Sequence, residues 1–153
     1  MSSRAKEKAT GQPVEARIYV SLLKAADALS QEAEQLVRSQ GLTGAQYNVL
    51  RILRGAEPDG LPCRGISERM ISHDPDMTRL LDRMEKRGMI TRERQREDRR
   101  VVKTRITEKG LEILAKLDSP VRELHREQLR HVSQARLKEL ERLLEEVAAR
   151  APK

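Results

Sequence analysis

Nine basic side chains crowd into residues 86–105: Lys86, Arg87, Arg92, Arg94, Arg96, Arg99, Arg100, Lys103 and Arg105, against Glu93, Glu97 and Asp98. The whole 153-residue chain carries a formal charge of +7, so most of the excess lies in this one stretch. Concentrated cations are the footprint of a polyanion-binding surface, because each neutralised phosphate releases counterions. A solvated basic loop would look the same in composition, and the flanking sequence decides between the two. Just upstream, Met77, Leu80, Leu81 and Met84 recur at i, i+3, i+4 and i+7, the core stripe of a helix. With that stripe buried, Asp76, Thr78, Arg79 and Arg83 fall on or beside the exposed face. Arg79 can pair there with guanine, Thr78 can touch a thymine methyl, and Asp76 can accept from cytosine N4. Arg83 can reach a base or a phosphate. Phosphate contact, or pairing with Asp76 or Asp82 one helical turn away, is the plainer role for both arginines.

Other chemistry has little to work with. Cys63 is the lone cysteine and the chain has three histidines, which excludes an intramolecular disulfide and argues against a multi-thiolate metal centre. His125 and His131 stand six apart rather than i, i+4, and His73 is distant in sequence, so all three read as solvated surface residues. No Gly-rich phosphate loop, nucleophile elbow or nucleophile–base pair is present, so catalytic residues, metal and cofactor are all expected to be absent. With no Phe or Trp and two Tyr, the chain cannot stack single-stranded bases in series.

The elements that must position these residues follow from periodicity. Residues 1–13 read as a flexible tail. From Val14 to about Ser39, Ile18, Leu22, Ala25, Leu29 and Leu36 mark one amphipathic helix stopped by Gly41. At 1.5 Å per residue it spans about 37 Å, more than a small domain needs. Thr43-Gly44-Ala45-Gln46 is a capping box opening a second helix through Val49, Leu50 and Leu53, and Glu57-Pro58-Asp59-Gly60 is a turn. Pro62 suits the first position of a short helix bearing Ile66 and Met70, and Asp74-Pro75 suits the cap and first position of the next, which Gly88 ends. The period then changes: residues 89–94 and 101–106 read as strands around the charged loop 95–100. Thr107-Glu108 opens another helix with a break expected at Asp118-Ser119-Pro120, and a last helix carries Leu137, Leu140, Leu144 and Val147. Two helices joined by a tight turn and followed by a basic hairpin make a winged helix-turn-helix. A hydrophobic fraction of 37% is low for an isolated core, which amphipathic helices completed by a second subunit would resolve.

In this order the sequence resembles the MarR family of winged-helix transcriptional regulators. The likeness rests on Leu42-Thr43-x-x-Gln46-Tyr47-x-Val49-Leu50, on Met77 through Gly88, on Asp98-Arg99-Arg100, and on Ile106-Thr107-Glu108-Lys109-Gly110, and it covers about residues 14–150. The resemblance implies a mostly α (α+β) fold: an N-terminal dimerisation helix (14–41), a winged helix-turn-helix domain (42–106, recognition helix about 74–88, wing about 89–106) and C-terminal dimerisation helices (107–150). It also implies that Asp98 organises the wing and that Arg100 enters the minor groove, whose negative potential suits an arginine, with Arg96 and Arg99 nearer phosphate. The expected function is that of a homodimeric repressor on double-stranded DNA, released from a pseudo-palindromic operator by a small-molecule effector. The alternatives are a non-specific architectural DNA-binding protein, a helical interaction module and a redox-responsive regulator using Cys63.

Relatives hold effectors between the dimerisation helices and the winged domain; here Tyr19 and Tyr47 are the aromatic candidates, with core packing the plainer role for Tyr47. Relatives that sense peroxide carry a cysteine near the start of the first helix, which this chain lacks. Cys63 reads first as a small half-buried residue, although a helix N-terminus and Arg64 beside it could activate a thiol. No run approaches 18 apolar residues and the first twelve are polar, so a soluble cytoplasmic protein without membrane contact is expected.

Overall fold

The long apolar-striped segment forms α1 (Val14–Arg38), which ends where Gly41 takes φ +73° and turns Leu42 back into the core. Only Val37, near its end, is buried, and Ile18 is 50% exposed. In a computed structural model, residues 11–149 are described; most of the expected N-terminal tail lies outside them. The capping box at Thr43 and Gln46 opens α2 (Gly44–Gly55): Thr43 Oγ1 accepts from the Gln46 amide at 3.2 Å, and Gln46 Oε1 accepts from the Thr43 amide at 3.1 Å. Val49, Leu50 and Leu53 put this helix at the centre of the core.

Three strands follow where two were expected. Leu61–Pro62 forms β1, antiparallel to the inner strand of the hairpin, with Leu61 opposite Thr104. Pro62 therefore sits in a strand and at the N-cap of α3 (Cys63–Ser67), not at its first helical position. An edge strand tolerates a proline because no ladder donor is lost there. Helix α3 is five residues long, so Met70 lies beyond it, half-buried in the turn that leads to α4 (Met77–Lys86).

Helix α4 starts later than Asp74-Pro75 suggests. The Asp74 carboxylate accepts from the Asp76 amide at 2.8 Å, and Asp76 accepts from the Arg79 amide at 3.1 Å. Two aspartates in series thus turn the chain before the helix begins, and Asp76 is the cap. The stripe of Met77, Leu80, Leu81 and Met84 is buried as its spacing requires. Gly88, at φ +73°, closes the helix with amide bonds from Gly88 to the Glu85 carbonyl (2.8 Å) and from Met89 to the Met84 carbonyl (3.1 Å).

Strands β2 (Ile90–Arg94) and β3 (Val102–Ile106) pair antiparallel with Ile90 opposite Ile106 and Arg94 opposite Val102, in the sheet order β1-β3-β2. Thr107 caps α5 (Glu108–Leu129), accepting from the Gly110 amide at 3.2 Å. The expected break at Asp118-Ser119-Pro120 is absent, and α5 runs through Pro120. Leu114, Leu117 and Val121 are buried on both sides of the proline, and Arg54 of α2 holds Asp118 with bonds of 2.8 to 3.0 Å. Tertiary packing offsets the one backbone bond that proline removes. Helix α6 (Gln134–Ala149) follows, with no buried residue.

Candidate nucleic-acid interface

Capping and core burial set the face that α4 offers to solvent. Thr78, Arg79 and Arg83 are all exposed on it. Arg79 Nε is 3.8 Å from the Asp76 carboxylate, a loose one-turn pair that leaves the guanidinium able to reach outward. Asp76 is also exposed, but one of its oxygens is committed to the helix cap.

Beside α4 stands the wing. Arg96, Asp98, Arg99 and Arg100 are exposed at its tip, and Arg94, Gln95, Arg96 and Arg99 line one shallow depression. Asp98 shapes the tip: its carboxylate accepts from the Arg100 amide at 3.0 Å, and its carbonyl from the Val101 amide at 3.0 Å. That local turn directs the chain back into β3 and leaves the Arg100 side chain outside. Among the described residues, Lys86, Arg94, Arg96, Arg99, Arg100 and Lys103 form no ion pair, so their charge is available to a polyanion.

Arg87 donates to the Gln46 side-chain oxygen at 3.3 Å, and two further members of the basic stretch are spent internally. Arg105 donates to the Pro58 carbonyl at 3.0 Å and pairs with Glu93 at 3.1 Å. Arg92 turns inward to Asp82 and Glu85 on α4. The Glu85 hydrogen bond first, and then Asp82, hold its guanidinium above the usual arginine pKa despite partial desolvation. Counting charge along the sequence could not separate these two from the outward-facing cations, because their partners lie on other elements.

The junction between the wing and α5 is built from the Ile106–Gly110 segment. Thr107 Oγ1 donates to the Gly88 carbonyl at 2.6 Å, the Thr107 amide bonds the Met89 carbonyl at 3.1 Å, and Lys109 Nζ reaches the Arg87 carbonyl at 2.7 Å. Gly110 packs so closely that a Cβ there would lie 2.5 Å from the Met89 carbonyl oxygen. The end of α4 is thereby tied to the start of α5.

A cavity of about 360 Å³ lies between α1, α2, α5 and the turn before α4, with Val37, Asn48, Met70, His73, Val121 and His125 in its walls. Tyr47 lines it, half-buried against the core with Arg51 over its ring at 5.8 Å. Tyr19 is 65% exposed on α1 and is not brought to the cavity. His73 and His125, 52 positions apart in sequence, share it, which sequence distance concealed. Asn48 accepts from the Ile71 amide at 2.8 Å and so fastens the turn that feeds α4. Among the described residues no group of three or more His, Cys, Asp or Glu side chains is placed to hold a metal ion. Cys63 is exposed rather than half-buried, because the buried side of the short α3 is taken by Gly65 and Ile66.

The MarR family pattern matches residues 42–102, the segment from the start of α2 through the wing tip. A MarR transcription factor from Planctomyces limnophilus is 37% identical, with 88% of this chain and 97% of that chain covered and a TM-score of 0.67. The chain belongs to the MarR family. The transcriptional repressor IacR of Pseudomonas putida is 30% identical over 118 residues, 77% of this chain and 70% of that protein. The PcaV regulator of Streptomyces coelicolor, solved with its natural ligand, is 27% identical with 83% and 91% covered and a TM-score of 0.68. As a MarR-family member the protein is a DNA-binding transcriptional regulator and not an enzyme, with a winged helix-turn-helix formed by α3, α4 and the β2–β3 wing. Among the described residues no helix is long and apolar enough to cross a membrane.

Proposed function

We propose that this MarR-family protein acts as a homodimeric repressor on a pseudo-palindromic operator, from which a small effector releases it. The observation that carries the reading is the unburied apolar surface of the two terminal helices. Val14, Ile18 and Leu23 of α1 and Leu140, Leu144 and Val147 of α6 are exposed, Val147 by 57%, and no residue of α6 is fully buried within the chain. Surfaces of this kind on soluble helices are finished by a partner, and a second copy supplies the matching stripe. Residues 14–41 and 107–150 are accordingly assigned to dimerisation and 42–106 to DNA binding.

Two-fold symmetry then sets the recognition helices about one helical turn of DNA apart, roughly 34 Å. On each half-site Arg79 reads a base, Thr78 and Arg83 contact base or backbone, and Asp76 fixes the helix start. Arg100 enters the minor groove while Arg96 and Arg99 hold phosphate. The cavity beside Tyr47 is the effector site, since its walls join both groups of helices to the turn before α4; repression is the role named for IacR, and ligand binding that named for PcaV.

Selection of duplexes from a random pool near 0.15 M salt tests this. An enriched inverted repeat bound at least about 1,000-fold over scrambled DNA is expected. Binding without an enriched motif would favour an architectural role, and a monomer at micromolar concentration in sedimentation would refute the dimer.

A further inference from the structure

We propose that Arg92 is a positioning residue for DNA binding: its side chain clamps the wing to the recognition helix and sets the two in register for adjacent grooves. This rests on the groove assignment above. Arg92 lies on β2 with its side chain 23% exposed, and it meets α4 at several points. Its Nε and Nη2 lie 2.9 and 2.6 Å from Glu85 Oε2, Nη2 also reaches Asp82 Oδ1 at 2.5 Å, and its amide donates to Glu85 Oε1 at 3.1 Å. Asp82 and Glu85 are one turn apart on the side of α4 facing the wing. A planar guanidinium held by two carboxylates, together with a main-chain bond, fixes both the rotation and the height of β2 against α4.

The covalent link between these elements is short, and its backbone is held at Gly88 and Met89 by the Glu85 and Met84 carbonyls and by Thr107. Those bonds fix only the base of the hairpin, and Arg92, further along β2, gives α4 and the wing a second point of attachment toward the tip. The charge arrangement points the same way. Asp82 and Glu85 belong to the helix that approaches DNA, where bare carboxylates repel phosphate; an arginine placed for DNA contact would face outward, as Arg96, Arg99 and Arg100 do.

Clamping and simple electrostatics make opposite predictions for one variant, Asp82→Asn/Glu85→Gln. Removing two negative charges per protomer near DNA should raise affinity for any duplex. If the clamp positions the wing, affinity for the selected operator falls relative to scrambled DNA, and the specificity ratio drops about tenfold or more. A second variant, Arg92→Gln, supplies a coupling measurement. In the wild-type background Arg100→Ala weakens operator binding, whereas in the Arg92→Gln background it should cost less than about twofold, because an unpositioned wing has little contact to lose. Arg92→Lys keeps the charge without the fork and should recover only part of the ratio. Circular dichroism and sedimentation confirm that each variant compared is folded and associated like the wild type. An unchanged or raised specificity ratio in Asp82→Asn/Glu85→Gln, or a full Arg100→Ala penalty without Arg92, would overturn the clamp while leaving the operator reading intact. Failure of the wild-type protein to select any site would overturn both.

Discussion

A single methyl group added at Gly110 tests how tightly the wing is joined to the C-terminal helices. In Gly110→Ala the new Cβ would stand 2.5 Å from the Met89 carbonyl oxygen and 2.7 Å from Ile106 Cγ1. That is roughly 0.9 Å inside ordinary contact on the carbonyl side, a severe case of overpacking. The carbonyl cannot swing away freely, because it accepts the Thr107 amide at 3.1 Å, and the neighbouring Gly88 carbonyl is held by Thr107 Oγ1 at 2.6 Å. Overpacking costs about 1–3 kcal/mol, and yielding the Thr107–Met89 bond adds about 1 kcal/mol. Alanine's better helix propensity returns up to about 1 kcal/mol. The expected loss is therefore about 2 kcal/mol, or about 4–8 °C in Tm for a chain of this size. Thermal unfolding by circular dichroism, at one fixed protein concentration, measures it. Gly55→Ala is the control: nothing lies within 4 Å of a Cβ there, so Tm should hold or rise slightly. A Gly110→Ala protein with unchanged or higher Tm would refute the view that this close approach constrains the junction.

Three further outcomes are expected. Arg54→Ala, Asp118→Ala and their double variant should give a coupling energy of about 0.5–1 kcal/mol in urea unfolding, since the pair is well aligned but over a third exposed on both sides. Replacing Leu140 and Leu144 by glutamate should shift sedimentation from dimer to monomer and weaken operator binding more than binding to a single half-site. Arg79→Ala should lose about 1–3 kcal/mol and relax preference at one position per half-site, read by competition among single-base variants of the selected duplex.

Where local chemistry decides an element, the sequence was enough to place it. The Thr43–Gln46 box, the four-residue stripe of α4 and the change of period at Met89 each rest on contacts within a few positions, and each stands in the fold. What escaped was set by distant partners. Strand β1 is two residues long, too short to carry a period, and exists because Gly60, at φ +69°, lets Leu61 meet Thr104. Pro120 obeys the packing of α5 rather than its local helix-breaking tendency. Asp74 and Pro75 satisfy the local rule for a helix start, yet the second aspartate, Asp76, takes the cap. In the site, Thr78, Arg79, Arg83 and the wing arginines stand exposed as their spacing suggested, whereas Arg92 was counted with them because a helix–strand ion pair leaves no periodic trace.

The order β1-β3-β2 has a consequence for solubility. It leaves β2 as a sheet edge, and such edges invite strands of other chains to add on. Antiparallel alternation turns the backbone groups of Ile90, Arg92 and Arg94 outward from β3. The Arg92 amide, at the middle of that row, is already taken by Glu85, and charged side chains stand at Arg92, Glu93 and Arg94. A hairpin whose tip stands in open solvent has no helix laid over the whole edge and no closed barrel to remove it. One carboxylate from α4 instead blocks the middle of the row, so Glu85→Ala should show first as aggregation at high concentration, whereas Glu85→Gln keeps an acceptor for the Arg92 amide and should not.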